Sequence, residues 1–495
     1  MMVLSSSAGV SVLLVLCSCI TSATIGYDGS LMNGLNILPA YNDYFSFDPA
    51  LTGLATATLY IGAFVSGATW SRFTDYYGRK WAMFWAAVIA IVATIVTTAA
   101  QNAPMFIVGR IVAGYGVGAS AVATPTYLAE TLPYKWRAWG LGLINDFYYI
   151  GGLVAAGVTY GTSHMDNTTW AWRIPSAIQA VFSLLCIVIL PFIPESPRWL
   201  IYVDRHQDAR KVLALTCADG DISSQLVVAQ YQEIVDALEY EKTVGNISFF
   251  KALKFSSCRK RLLLASSAAM FSIITGNMIA SYYLGSFLTS AGISDTNTQL
   301  QINIILNCFC LICALVGTWF SDKIGRRGSA LASTVLATIF LFLVGALTKV
   351  YGTTHNNSGI YGTIAMVFLF MGSYSFGWTP LLYLYPPEVL NYQIRAAGMG
   401  LMNAVMNGCA LLMLFVLPFA LQSIGWKTYI INAAWDVLVI AFIYFCWVET
   451  NGKTLEEVDF LFDGARRTQA SELKKEKVAV EEFEFEHVNE VEKTA

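Results

Sequence analysis

About a dozen apolar stretches, each near the roughly 20 residues that a helix needs to cross a bilayer, fill most of this 495-residue chain. They lie near 8–33, 51–71, 81–100, 105–128, 138–160, 174–193, 262–288, 299–320, 329–350, 360–386, 396–420 and 426–447. Charged residues make up only 13% of the sequence, against roughly 25% in soluble domains. Backbone groups in lipid must be satisfied within their own segment, so every span is expected to be a helix. The first span lacks a basic start and ends in GYDGSLMNG, which is not a small-residue cleavage site, so it is read as retained and not as a signal peptide.

The placement of charge orients the spans. Connections after spans 2, 4, 8 and 10 hold Arg72, Arg79, Lys80, Lys135, Arg137, Lys323, Arg326, Arg327 and Arg395, while the other side holds only Arg173, Lys349 and Lys427. The positive-inside rule puts the first group, and with it both termini, in the cytosol. All ten cysteines then fall in spans or on the cytosolic side, so no disulfide is implied. The sequons at Asn167 and Asn356 fall in outside loops and are candidate glycosylation sites.

A charged stretch at 194–261 divides the spans six and six. Its segment 222–241 has helical periodicity in Leu226, Val227, Ile234, Val235 and Leu238, so short surface helices are expected there. The halves echo each other. DYYGRK after span 2 matches DKIGRR after span 8. Glu130 and Arg137 after span 4 match Glu388 and Arg395 after span 10, seven residues apart in both. Two parallel repeats that rock about a site at mid-membrane are a known transporter architecture. The expected fold is an all-α membrane protein of twelve helices in two pseudo-symmetric halves: 1–193, a linker at 194–261, 262–447, and a tail at 448–495.

On GYDGSLMNGL, DYYGRK, DKIGRR, GRIVAGYGVG (109–118), PESPRWL (194–200) and VETNGKTLEEV (448–458), the chain resembles the sugar porter family of the major facilitator superfamily, in its fungal form. TWAWRIPS (169–176) with NDFYYIGG (145–152) is further similar to the lactose and cellobiose branch. The resemblance implies a plasma-membrane carrier, monomeric in function, that moves a small sugar by alternating access and needs no cofactor beyond a coupling proton. It also implies that Asp75, Arg79, Glu130 and Arg137, and likewise Asp322, Arg326, Glu388 and Arg395, form salt bridges that gate the cytosolic face. The residues alone leave open whether these charges latch helices or only anchor loops.

Asp28 is the one acid in residues 1–40, and the basic residue within a span is Arg110, in the same half. A mid-span aspartate is disfavoured by about 2.5–3.5 kcal/mol and needs a partner. In proton-coupled relatives the matching pair carries the proton; a fixed structural ion pair is the other role the residues allow. Asp146 and Asp436 are the other intramembrane acids; each either lines the cavity or sits near a span end with a local helix partner, and the second is the expectation.

A sugar needs amides that donate and accept, and a ring to stack on. The candidates are Asn145, Asn277, Tyr282, Tyr283, Asn307, Trp378, Tyr383 and Asn407. Family members carry glutamine where Ile273 and Asn145 stand here, and proline where Val448 stands. These departures fit a sugar other than a simple hexose, or export of a less polar metabolite. A sensor that transports little is a third reading, and the tail of about 48 residues is short for one.

Other classes are excluded. Asn451-Gly452-Lys453-Thr454 ends like a phosphate loop, but Trp447 stands where glycine is needed. His164, His206, His355 and His487 are scattered, so no metal centre is expected. No nucleophile–base pair marks an enzyme, and dispersed basic residues offer nucleic acid no surface.

Overall fold

Inside a bilayer a segment has only itself to satisfy its backbone, and the computed structural model is built of helices accordingly. It describes residues 7–45, 49–165, 168–244, 256–282, 284–290, 293, 295–351, 357–390, 392–453, 458 and 461–462. The first half holds α1 (Ser7–Ile37), α2 (Pro49–Tyr77), α3 (Arg79–Thr98), α4 (Ala103–Thr131), α5 (Tyr134–Thr162) and α6 (Trp170–Ile189). The second half opens with α7 (Ser256–Ile274), which continues past a break as the short helices Asn277–Tyr282 and Leu284–Ser290. It goes on with α8 (Thr296–Ile324), α9 (Arg326–Tyr351), α10 (Asn357–Val389), α11 (Tyr392–Ile424) and α12 (Lys427–Cys446).

Among the described residues, ten helices are long and apolar enough to cross a membrane. The expected dozen is completed by α2 and α7. Threonine, serine and glycine recur along α2, which ends in Arg72 and Asp75, and α7 starts with SSCRKR and breaks after Ile274. Both still pack within the bundle. Helix α7 also starts at Ser256, inside the range read from sequence as linker, and its Arg261 is fully buried with Nη1 donating to the Val389 carbonyl at 3.1 Å.

The repeat is visible in packing. Helix α1 packs on α5, α2 on α4, α3 on α4 and α3 on α6; six helices later α7 packs on α11, α8 on α10, α9 on α10 and α9 on α12. The halves meet through α2 with α11, and through α5 with α8 and α10. Helices α2 and α11 come so close that a Cβ on Gly67 would meet the Gly400 carbonyl oxygen at 2.9 Å.

Between the halves, the chain forms helices Pro197–Tyr202, His206–Cys217 and Gln225–Val244. The last overlaps the 222–241 segment whose periodicity predicted a helix, starting three residues later. Val227, Tyr231 and Ile234 on one face close a small core with Leu200, Ile201, Val212 and Leu213. The tail lies largely outside the described residues.

Candidate binding cavity

Where α5, α10 and α11 meet the break at the end of α7, the helices leave a cavity with some 840 Å³ of empty space, including its open rim. Among the described residues, the wall carries no charged side chain. Its polar groups are mostly amides and phenols, Asn145, Asn277, Asn403 and Asn407 with Tyr60, Tyr148, Tyr149, Tyr282, Tyr374 and Tyr383, joined by Ser272 and Thr379. Ile273, Met278, Leu59 and Leu382 supply the apolar part.

These groups are held from both halves. Asn145 Nδ2 on α5 donates to the Thr379 carbonyl on α10 at 2.7 Å, and the Tyr149 and Ser375 hydroxyls lie 2.7 Å apart. The Tyr60 and Tyr282 hydroxyls meet at 2.5 Å, joining α2 to the broken part of α7. Asn407 Nδ2 bonds Asn403 Oδ1 at 2.9 Å, while Asn403 Nδ2 reaches back to the carbonyls of Ala63 and Gly118 in the other half. Asn277 lines the cavity because α7 restarts there.

Of the expected contact residues, Asn145, Asn277, Tyr282, Tyr383 and Asn407 line this cavity. Trp378 does not. It is fully buried, packs edge-on against Trp447, and donates from Nε1 to Thr334 Oγ1 at 3.1 Å, so it is core. Asn307 sits elsewhere, bonded to Asn303 one turn earlier. Asn303 in turn accepts from Asn33 of α1 at 3.3 Å. Tyr283, Asn167 and Asn356 lie outside the described residues. Tyr60, Tyr148, Tyr149, Tyr374 and Asn403 complete the wall. A tyrosine in a span looks the same in sequence whether it faces core or cavity; NDFYYIGG was the signal for two of them.

Next to the cavity lies the ion pair. Asp28 and Arg110 are both buried, and Arg110 Nη1 bonds Asp28 Oδ1. The second carboxylate oxygen accepts from Gln179 Nε2 of α6 at 2.6 Å. Arg110 Nε and Nη2 have no hydrogen-bond partner among the described residues. Gln179 was missed from sequence, though an amide in so apolar a span was its mark. A Cβ added to Gly29 would meet the hydroxyls of Tyr148 and Tyr282 at 2.6 and 3.0 Å, so cavity wall and ion pair share this turn of α1.

At the basic face, the paired loops form two matching networks. Arg79 makes a bidentate pair with Glu130 at 3.0 and 3.1 Å, and Arg326 with Glu388 at 3.1 and 2.9 Å. Arg79 also pairs with Asp75 at 3.4 Å, and Arg326 with Asp322 at 2.8 Å. Such fork-to-fork pairs fix geometry as well as adding energy. Two acids complete the pattern. Glu195 accepts from the backbone N–H groups of Arg79 and Lys80, and Glu449 from those of Arg326 and Arg327. Each thus neutralises the positive end of a helix. Ser196 and Thr450 then donate to Glu130 and Glu388 at 2.5 and 2.7 Å. Burial pushes the Glu195 carboxyl above the usual carboxylate range, opposed by its N–H donors from Ser196 and Lys80. Gly78 (φ 98°) and Gly325 (φ 86°) carry each loop into position, and a Cβ at either would strike the capping carboxylate at 2.6 or 2.5 Å. Arg395 Nη2 donates to the Leu390 carbonyl at 3.2 Å, and Arg137 is half-buried near the start of α5.

A sequence profile described as "Sugar (and other) transporter" matches residues 14–462. The chain belongs to this sugar transporter family. A high-affinity glucose transporter of Kluyveromyces lactis is 30% identical over 460 residues, covering 89% of this chain and 83% of that one. An MFS glucose transporter of Aspergillus flavus, mfs1, is 31% identical over 487 residues, covering 91% of each. In fold, this sugar transporter matches the proton:xylose symporter XylE with a TM-score of 0.80, over 92% of this chain and 100% of that one, at 21% identity. It is therefore a multi-pass membrane carrier of the major facilitator fold and not an enzyme.

Proposed function

We propose that the protein takes up a neutral sugar, a hexose or a disaccharide such as lactose or cellobiose, by proton symport through alternating access. The observation that carries this reading is the charge-free cavity between the halves, walled by asparagine and tyrosine. Amides and phenols match hydroxyls in both directions of hydrogen bonding, and the tyrosine rings offer faces for stacking. Ile273 removes one amide from that wall, which favours a larger or less polar glycoside over free glucose, because a site loses much when a buried hydroxyl goes unpaired. The relatives that transport glucose, and the xylose symporter of like fold, support a sugar as the substrate class.

Asp28 carries the proton in this scheme, and movement of Arg110 or Gln179 away from it favours protonation. The ion-pair networks at Arg79 and Arg326 hold the cytosolic side shut and part when it opens. The basic face is the cytosolic one, both termini lie there, and the membrane is the plasma membrane. A second reading, transport of a less polar metabolite on the same scaffold, is favoured by Ile273 alone.

The test is uptake of labelled glucose, lactose and cellobiose at acid pH, in yeast lacking its own sugar carriers, with and without an uncoupler. Uptake that collapses with the uncoupler is expected. Uptake indifferent to it leaves a facilitator, and absence of uptake by correctly delivered protein overturns the sugar reading.

A further inference from the structure

Asp146 follows Asn145 on α5 but belongs neither to the cavity wall nor to the Arg110 pair. Its side chain is fully buried. One oxygen, Oδ2, accepts a hydrogen bond from the Thr318 hydroxyl of α8 at 2.6 Å, across the boundary between the halves. The other, Oδ1, has no hydrogen-bond partner among the described residues. From α1 the Cys19 thiol is near enough to interact with it electrostatically. From α8 it meets Thr318. On the α10 side, the adjoining turn of α5 bonds Thr379 and Ser375, which carry no charge. No lysine or arginine forms an ion pair with it among the described residues. A buried carboxylate needs a counter-charge or a full set of donors, and one hydroxyl is neither.

The contrast with Asp28 is one of partner location. Arg110 and Gln179 sit on α4 and α6, in the same half as Asp28. Rocking of one half against the other does not by itself separate that trio, which parts only when helices shift within the half. The same motion carries Thr318 away from Asp146, because the partner rides on the opposite half. Halves that part between α5 and α8 also admit water to the freed carboxyl.

We propose that Asp146 is a second proton-binding site, protonated when α5 and α8 close on each other and deprotonated to water when they part. This rests on the rocking of the two halves in the proposed function, but not on which sugar is carried. The exchange is balanced within itself: an O–H bond forms on the carboxylate with a proton from water, and the same bond breaks on opening.

The test is the distance between the halves at the basic face as a function of pH. Spin labels borne by unnatural amino acids at the exposed positions 76 and 323 report it by electron–electron resonance in nanodiscs. In the wild type the ratio of closed to open protein rises as pH falls, by up to roughly tenfold per pH unit, the limit for one proton. Asp146→Asn, which mimics the neutral acid and keeps the Thr318 bond, is expected to stay mostly closed and to lose most of that dependence. Thr318→Val removes the donor but keeps the carboxyl, and it shifts the midpoint of the titration, while Thr318→Ser restores it. An Asp146→Asn protein that follows pH as the wild type does, a Thr318→Val protein with an unmoved midpoint, or a wild type blind to pH overturns the assignment. Sugar binding to the same samples is scored separately. A wild type that binds no sugar overturns the sugar reading and leaves the Asp146 result standing.

Discussion

The two halves agree at the basic face and differ in the interior. At the face, the main partners in one half have counterparts in the other: Arg79 and Arg326, Glu130 and Glu388, Glu195 and Glu449, Ser196 and Thr450. Inside, the first half buries an ion pair, Asp28 with Arg110. The offset that carries Glu130 to Glu388 carries Arg110 to Phe368, so the second half has no such cation. Its buried acid is Asp436, on α12, whose two oxygens have no hydrogen-bond partner among the described residues. The repeat is kept in the ion-pair networks of the basic face. It has diverged where one half alone carries a charge pair beside the cavity.

The largest expected effect breaks that asymmetry. Arg110→Leu strands Asp28 as a buried charge, and loss of one partner of such a pair is destabilising by about 3–5 kcal/mol. Phe368→Leu at the equivalent place is expected to change stability by about 1 kcal/mol. Thermal unfolding in detergent, followed by size-exclusion fluorescence, compares the two. Equal shifts would mean that the ion pair does not distinguish the halves.

A smaller effect sharpens the likeness of the two networks. The Glu130 side chain is 2% exposed and that of Glu388 is 19% exposed. Arg79→Ala is therefore expected to lower the unfolding temperature more than Arg326→Ala, the first near 3–5 kcal/mol and the second below that range, since a partly wet carboxylate keeps some solvation. The reverse order would show that burial does not rank them.

The smallest effect separates core from cavity on α10. Trp378→Phe removes the bond to Thr334 at about 1 kcal/mol and is expected to leave sugar affinity unchanged by isothermal titration. Tyr383→Ala is expected to weaken binding several-fold. A loss of affinity in Trp378→Phe equal to that in Tyr383→Ala would return the tryptophan to the site.

The fold was legible because it rests on coarse features: the apolar stretches, the doubled loops and the charge bias. The pairing of Asp28 with Arg110 was legible too, because a chain with few intramembrane charges leaves few ways to match them. The wall of the cavity was legible only in part. Trp378 and Tyr383 are five positions apart on one helix, so they point roughly 140° away from each other, and the sequence does not say which faces inward. Tyr60 and Tyr148 reach the site only through packing between helices far apart in the chain. The capping roles of Glu195 and Glu449 were hidden for the same reason, since each acts on a helix that begins more than a hundred residues earlier.

The most direct measurement is exchange of labelled sugar by purified protein in liposomes, comparing the wild type with Asn277→Ala and Tyr383→Ala. These two residues line the cavity from α7 and α10 and take no part in the ion-pair networks described above. The account predicts rapid exchange by the wild type and a fall of roughly tenfold or more in each variant, as expected when about 1.4 kcal/mol or more of binding energy is lost. Exchange that continues at the wild-type rate in both variants would contradict it, because the sugar would then be crossing somewhere other than the cavity between the halves.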